Sequence, residues 1–118
     1  MKLINLLFVL ALISPTAWGR IFQENFSQAV RDMNNPQLVE FNVLCAVQQG
    51  PCDERALKLR KYIPIVVLHQ PCPECTRMDL FMLRILINNM KRRFPKCWSI
   101  IDRALKNQPV QDAKGCSY

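Results

Sequence analysis

From residue 22 onward, apolar side chains recur every three or four positions, the spacing that collects them on one face of a helix. Phe22, Phe26, Ala29 and Met33 follow this rule and predict a helix over residues 27–32. Asn34-Asn35-Pro36 then reads as a fresh helix start, with Asn as the cap and Pro in the first turn, where no N–H partner is lost. The segment 38–47 that follows is apolar on two sides. Leu38, Phe41 and Cys45 share one side; Val39, Val43, Ala46 and Val47 share the other. Such a helix belongs between neighbours. Gly50-Pro51 ends it, Gly as a positive-φ cap and Pro as a residue that cannot continue the helix.

Residues 53–61 predict another helix with charges outward, its apolar stripe continued by Leu59, Ile63 and Val66. Pro64 predicts a bend or a new short helix. Ile65-Val66-Val67-Leu68 alone could pass for a buried strand, but the chain offers no partner strand, so helix is the better reading. Residues 77–93 form the longest predicted helix. Arg84, Asn88, Lys91 and Arg92 occupy a narrow arc, while Met78, Leu80, Met82, Leu83, Leu86, Ile87 and Met90 cover most of the rest. That apolar arc is wider than the ~100° stripe of a surface helix, which suits a central core helix or one lining a cavity. Pro95 starts a last helix with Trp98, Ile101 and Leu105 as its stripe, and the tail 107–118 reads as irregular. The chain has no repeat or second domain; it predicts one all-α domain.

Residues 1–19 have the form of a secretory leader: Lys2, an apolar run over 3–13, then Ala17-Trp18-Gly19. The apolar run is too short to span a bilayer, which takes about 20 residues. The mature domain would be residues 20–118, and losing Lys2 would take the net charge from +7 to +6. Secretion places the six cysteines in an oxidising compartment, where two or three disulfides are expected, although six cysteines allow 15 connectivities. Cys72 and Cys75 can meet within one turn. Cys45 and Cys52 would lie ~10 Å apart on a straight helix, so bridging them needs the turn that Gly50-Pro51 offers. Asn25-Phe26-Ser27 is a glycosylation sequon.

Chemistry-bearing patterns are sparse. Cys72-Pro-Glu-Cys75 could be a redox dithiol, but that chemistry needs a β-α-β setting, and Glu74 would raise the thiol pKa values. Four cysteines could bind zinc, yet short spacings in a secreted chain favour bridges. His69 is the single histidine, so neither a His-based triad nor a two-His metal site can be built. No carboxylate pair stands out. The chain therefore reads as a non-enzyme with no metal or cofactor. Lys91-Arg92-Arg93, with Lys96, could meet anionic lipid or nucleic acid; secretion argues against nucleic acid, and cations also suit a helix C-terminus.

The four central cysteines are separated by 6, 19 and 2 residues. This resembles the Cys-x6-Cys-x18-Cys-x2-Cys pattern of the insect chemosensory proteins, the OS-D-like family. Gly50-Pro51-Cys52, Leu59-Arg60-Lys61 with Ile63-Pro64, and Pro95-x-x-Trp98 resemble further family motifs, so the likeness runs from about residue 37 to 107. It implies a compact bundle of about six short helices around an apolar channel, the sequential bridges Cys45–Cys52 and Cys72–Cys75, and no catalytic site. The implied cargo is a small lipophilic ligand such as a pheromone component, fatty acid or other semiochemical. The departures are one extra residue between Cys52 and Cys72, Asn42 where the family often has Tyr, a mostly apolar 79–83 where a Lys-rich stretch is usual, and the additional Cys97 and Cys116. A third bridge, Cys97–Cys116, would close the tail over the last helix; a disulfide-linked dimer is the alternative.

The resulting expectation is a secreted, monomeric carrier without membrane insertion. Apolar stripes and matching helices nominate Val43, Val47, Ile63, Val67, Leu83, Ile87, Trp98 and Ile101 as its lining, with a basic residue at the mouth. The alternative is a cationic membrane-active or host-defence protein.

Overall fold

The computed structural model describes residues 21–22 and 26–118. Among them are five helices and no strand: α1, Phe26–Met33; α2, Pro36–Ala46; α3, Glu54–Val67; α4, Arg77–Arg93; and α5, Pro95–Leu105. The leader-like segment 1–19 and the sequon's Asn25 lie outside the described residues.

The helix starts follow from local side chains. The Asn35 side chain accepts from the N–H groups of Gln37 and Leu38, with Pro36 in the first turn. Asp53 accepts from Ala56 N–H at 2.7 Å. Thr76 and Asp79 form a reciprocal capping box, 3.1 Å one way and 2.9 Å the other. α5 has no side-chain cap. It begins directly after α4 through the buried Phe94.

The helix ends correct one expectation. Gly50 does not supply the positive φ that closes α2; Gln48 does, at 61°. Gln48 N–H bonds to Cys45 C=O and Gln49 N–H to Leu44 C=O, the paired bonds of a Schellman cap. Gly50 is needed for a different reason: a Cβ there would lie 2.9 Å from Leu44 Cβ. The same cap recurs at the end of α3, where His69 has φ 55°, and at the end of α5, where Asn107 has φ 54°.

Of the two outcomes expected at Pro64, a bend or a new short helix, the second does not occur. α3 runs through it to Val67 and carries residues 65–67 as helix. Proline removes only the bond to the Arg60 carbonyl, and Arg60 is exposed, so water can serve that carbonyl.

α2 packs against α3, α1 and α5, and α4 packs against α3, α5 and α1. The side chains between them form two apolar clusters. The first gathers Val39, Val43, Met90, Phe94, Cys97, Ile100, Ile101, Ala113 and Cys116. The second gathers Ile21, Phe22, Leu59, Tyr62, Ile63, Leu83 and Ile87. Leu86 and Trp98 pack against both.

All six cysteines are bridged: Cys45–Cys52, Cys72–Cys75 and Cys97–Cys116, with Cα separations of 5.1, 5.3 and 5.0 Å. The third bridge holds the tail, and side chains reinforce it. Gln49 donates to Gln111 C=O at 2.9 Å and accepts from Ala113 N–H at 2.7 Å. Glu40 accepts from Gly115 N–H.

Candidate functional site

The seam between the two clusters is incompletely filled. Its main cavity is walled on one side by Val39, Val43, Met90 and Ile101 of the first cluster, and on the other by Leu59 and Ile63 of the second. Leu86, Ala46 and Met33 complete the apolar wall. A neighbouring cavity lies among Phe22, Ala29, Met82 and Leu83 and shares Met33, Arg55, Leu59 and Leu86 with the first. The two spaces therefore adjoin across four side chains. Each has a volume of about 20 Å³. That is room for about one water molecule, whereas ligand pockets are commonly ~300–1,000 Å³. Long-chain cargo would have to part the seam. Met33, Met82 and Met90 line it, and Met side chains rearrange at little cost.

Three polar residues line the main cavity. Asp32 at the end of α1 and Arg55 in the first turn of α3 both line it and form an ion pair, Nη1 to Oδ2, at 2.5 Å. Their side chains keep about a quarter of their surface in solvent, 25% and 27% respectively. Asn42 of α2 adds a carboxamide to the same wall.

Of the eight nominated lining residues, Val43, Ile63 and Ile101 line the main cavity and Leu83 the neighbouring one. Val67 and Ile87 border an open surface groove of about 650 Å³, together with His69, Arg84 and Lys91. Val47 packs against the first cluster and borders none of these spaces. Trp98 is likewise away from them, but it touches both clusters and stacks under Lys91, whose Nζ is 5.1 Å from the ring centroid. The apolar pattern did not single out Met33, Val39 or Leu86 as lining, nor the Asp32–Arg55 pair. Val39 and Leu86 were legible as core, but no sequence signal ties Asp32 to Arg55.

Bridging consumes all the thiols, so Cys72 and Cys75 are neither a free dithiol nor zinc ligands. Among the described residues, no three His, Cys, Asp or Glu side chains gather as a metal site. None of the described helices is long and apolar enough to cross a membrane.

Compared with known families, the chain matches the model of the insect pheromone-binding family, A10/OS-D, over residues 24–112. It belongs to that family. Its members are non-enzymatic carriers of small chemosensory ligands, and the three bridges agree with an oxidising, extracellular setting. No individual curated protein and no solved structure matches the chain.

Proposed function

We propose that the chain, after loss of a leader at residues 1–19, is a secreted one-domain carrier that takes a long lipophilic molecule into the seam. The cargo would be of pheromone, fatty-acid or semiochemical type. The observation that carries this reading is the pair of adjoining, mostly apolar cavities between the two clusters. The lining we assign is Val39, Val43, Leu59, Ile63, Met90 and Ile101, with Leu83 at the far end. Affinity would come from apolar burial, ~25 cal/mol per Å², less the work of parting the seam.

Trp98 is the single tryptophan beyond the leader and contacts both clusters. Titration with C12–C18 alcohols, acids and esters should change its fluorescence and displace an apolar probe with saturation near one site. Absence of any response from either reporter would reject the carrier reading. The membrane-active reading draws support from the exposed stripe Arg77, Arg84, Lys91 and Arg92 on α4. It requires dye leakage from anionic vesicles at low protein concentration, and intact vesicles would eliminate it.

A further inference from the structure

Resting on the carrier reading, we infer that Asp32, Arg55 and Asn42 form the subsite for the ligand's polar head, and that this subsite selects a neutral oxygen head over a carboxylate. The three residues supply the polar part of a wall that is otherwise apolar. A lone arginine would favour a carboxylate through a charge-assisted bond. Here the Asp32 carboxylate already lies 2.5 Å from the Arg55 guanidinium. An incoming carboxylate that approaches Arg55 must also approach Asp32. It would trade its hydration for a site with no net charge, a poor exchange for a buried anion.

A hydroxyl, aldehyde or ester meets no such conflict. Among the described residues Arg55 engages the Asp32 carboxylate through Oδ2, leaving Oδ1 as an acceptor, and Asn42 borders the same cavity. Asp32 can therefore accept from a hydroxyl, and the Asn42 carboxamide can donate to an ester or aldehyde oxygen or accept from an alcohol. The predicted ligand class is a long-chain alcohol, aldehyde or ester, with its chain along the seam and its head at the α1–α2–α3 corner.

The test compares tetradecan-1-ol, tetradecanoate and 1-chlorotetradecane by probe displacement at pH 7.5, in the unmodified protein and in Asp32→Asn and Asn42→Leu. Ratios within one variant are the readout, so a general loss of folded protein cancels. The unmodified protein should bind the alcohol more tightly than the carboxylate. Asp32→Asn keeps the shape, removes the repelling charge and should shift the alcohol-to-carboxylate ratio toward the carboxylate about fivefold or more. Asn42→Leu should narrow the alcohol's advantage over the chloroalkane.

A ratio unmoved by Asp32→Asn, or an unmodified protein that prefers tetradecanoate, would overturn the inference while leaving the carrier intact. An alcohol advantage unmoved by Asn42→Leu removes Asn42 from the subsite. Failure of all three ligands to displace the probe would instead sink the carrier reading itself.

Discussion

Both clusters are built from buried apolar side chains, yet they are held by different means. The first contains the Cys97–Cys116 bridge, and the side chains of Gln49 and Glu40 tie the tail beside it. The second is closed by Ile21 and Phe22, which no bridge reaches. Their N–H groups donate to the buried Asp79 carboxylate at 3.2 and 3.5 Å, and Ile21 C=O accepts from Lys58 Nζ at 3.0 Å. Cys72–Cys75 lies at this cluster's edge and closes a loop with a separation of only three residues. A covalent closure resists opening, whereas a hydrogen-bonded closure can yield. The first cluster is thus the fixed wall of the seam and the second the compliant one.

The largest expected effect strikes the fixed wall. Replacing both Cys97 and Cys116 by Ser should cost about 3 kcal/mol in denaturant unfolding, from the freedom regained by a loop of this length. Hydrogen exchange should rise across 107–118 while amides of α3 keep their protection; equal loss on both sides would erase the contrast. Asp79→Ala strikes the compliant wall. It removes half of a capping box and a fully buried acceptor for Ile21 and Phe22. The expected loss is about 2–3 kcal/mol, accompanied by faster ligand association as the second cluster loosens. A slower association would mean that this cluster does not move.

Smaller effects sharpen the picture. Gly50→Ala should destabilise by about 1–2 kcal/mol, because two Cβ atoms cannot share the space beside Leu44 and the backbone must shift on the fixed side. His69→Gly should stabilise by up to about 1 kcal/mol, since glycine relieves the left-handed strain at the end of α3. Thermal unfolding checks both, and a change of the opposite sign at either position contradicts the cap geometry.

Much of the fold was legible in the sequence because it is local. Asn35-Pro36 acts on N–H groups two or three residues away, and the apolar spacing of residues 77–93 marks α4 without outside help; the Asp53 and Thr76 caps are equally local, but the sequence reading did not single them out as caps. What was not legible depends on distant partners. Polar side chains are expected on the surface, yet Asp79 is fully buried and Asn89 is 8% exposed. Each is satisfied by backbone more than fifty positions away: Asp79 by Ile21 and Phe22, and Asn89 by Met33 C=O at 3.0 Å. The Gln48, His69 and Asn107 caps escaped for another reason. Glycine is the usual sign of a left-handed residue, and the hydrogen bonds that force the conformation here do not depend on side-chain type. The site was half legible. Apolar stripes named residues facing the interior, but which of them border the seam depends on how neighbouring helices are rotated.

The bridges span 7, 3 and 19 positions, and none runs from one cluster to the other. In the language of graphs, no disulfide edge joins a member of one cluster to a member of the other. Interior volume is therefore set by a handful of side chains and can be retuned by substitution, while the covalent skeleton stays constant. A single scaffold of this kind can diversify in the size of molecule it admits without renegotiating how it folds.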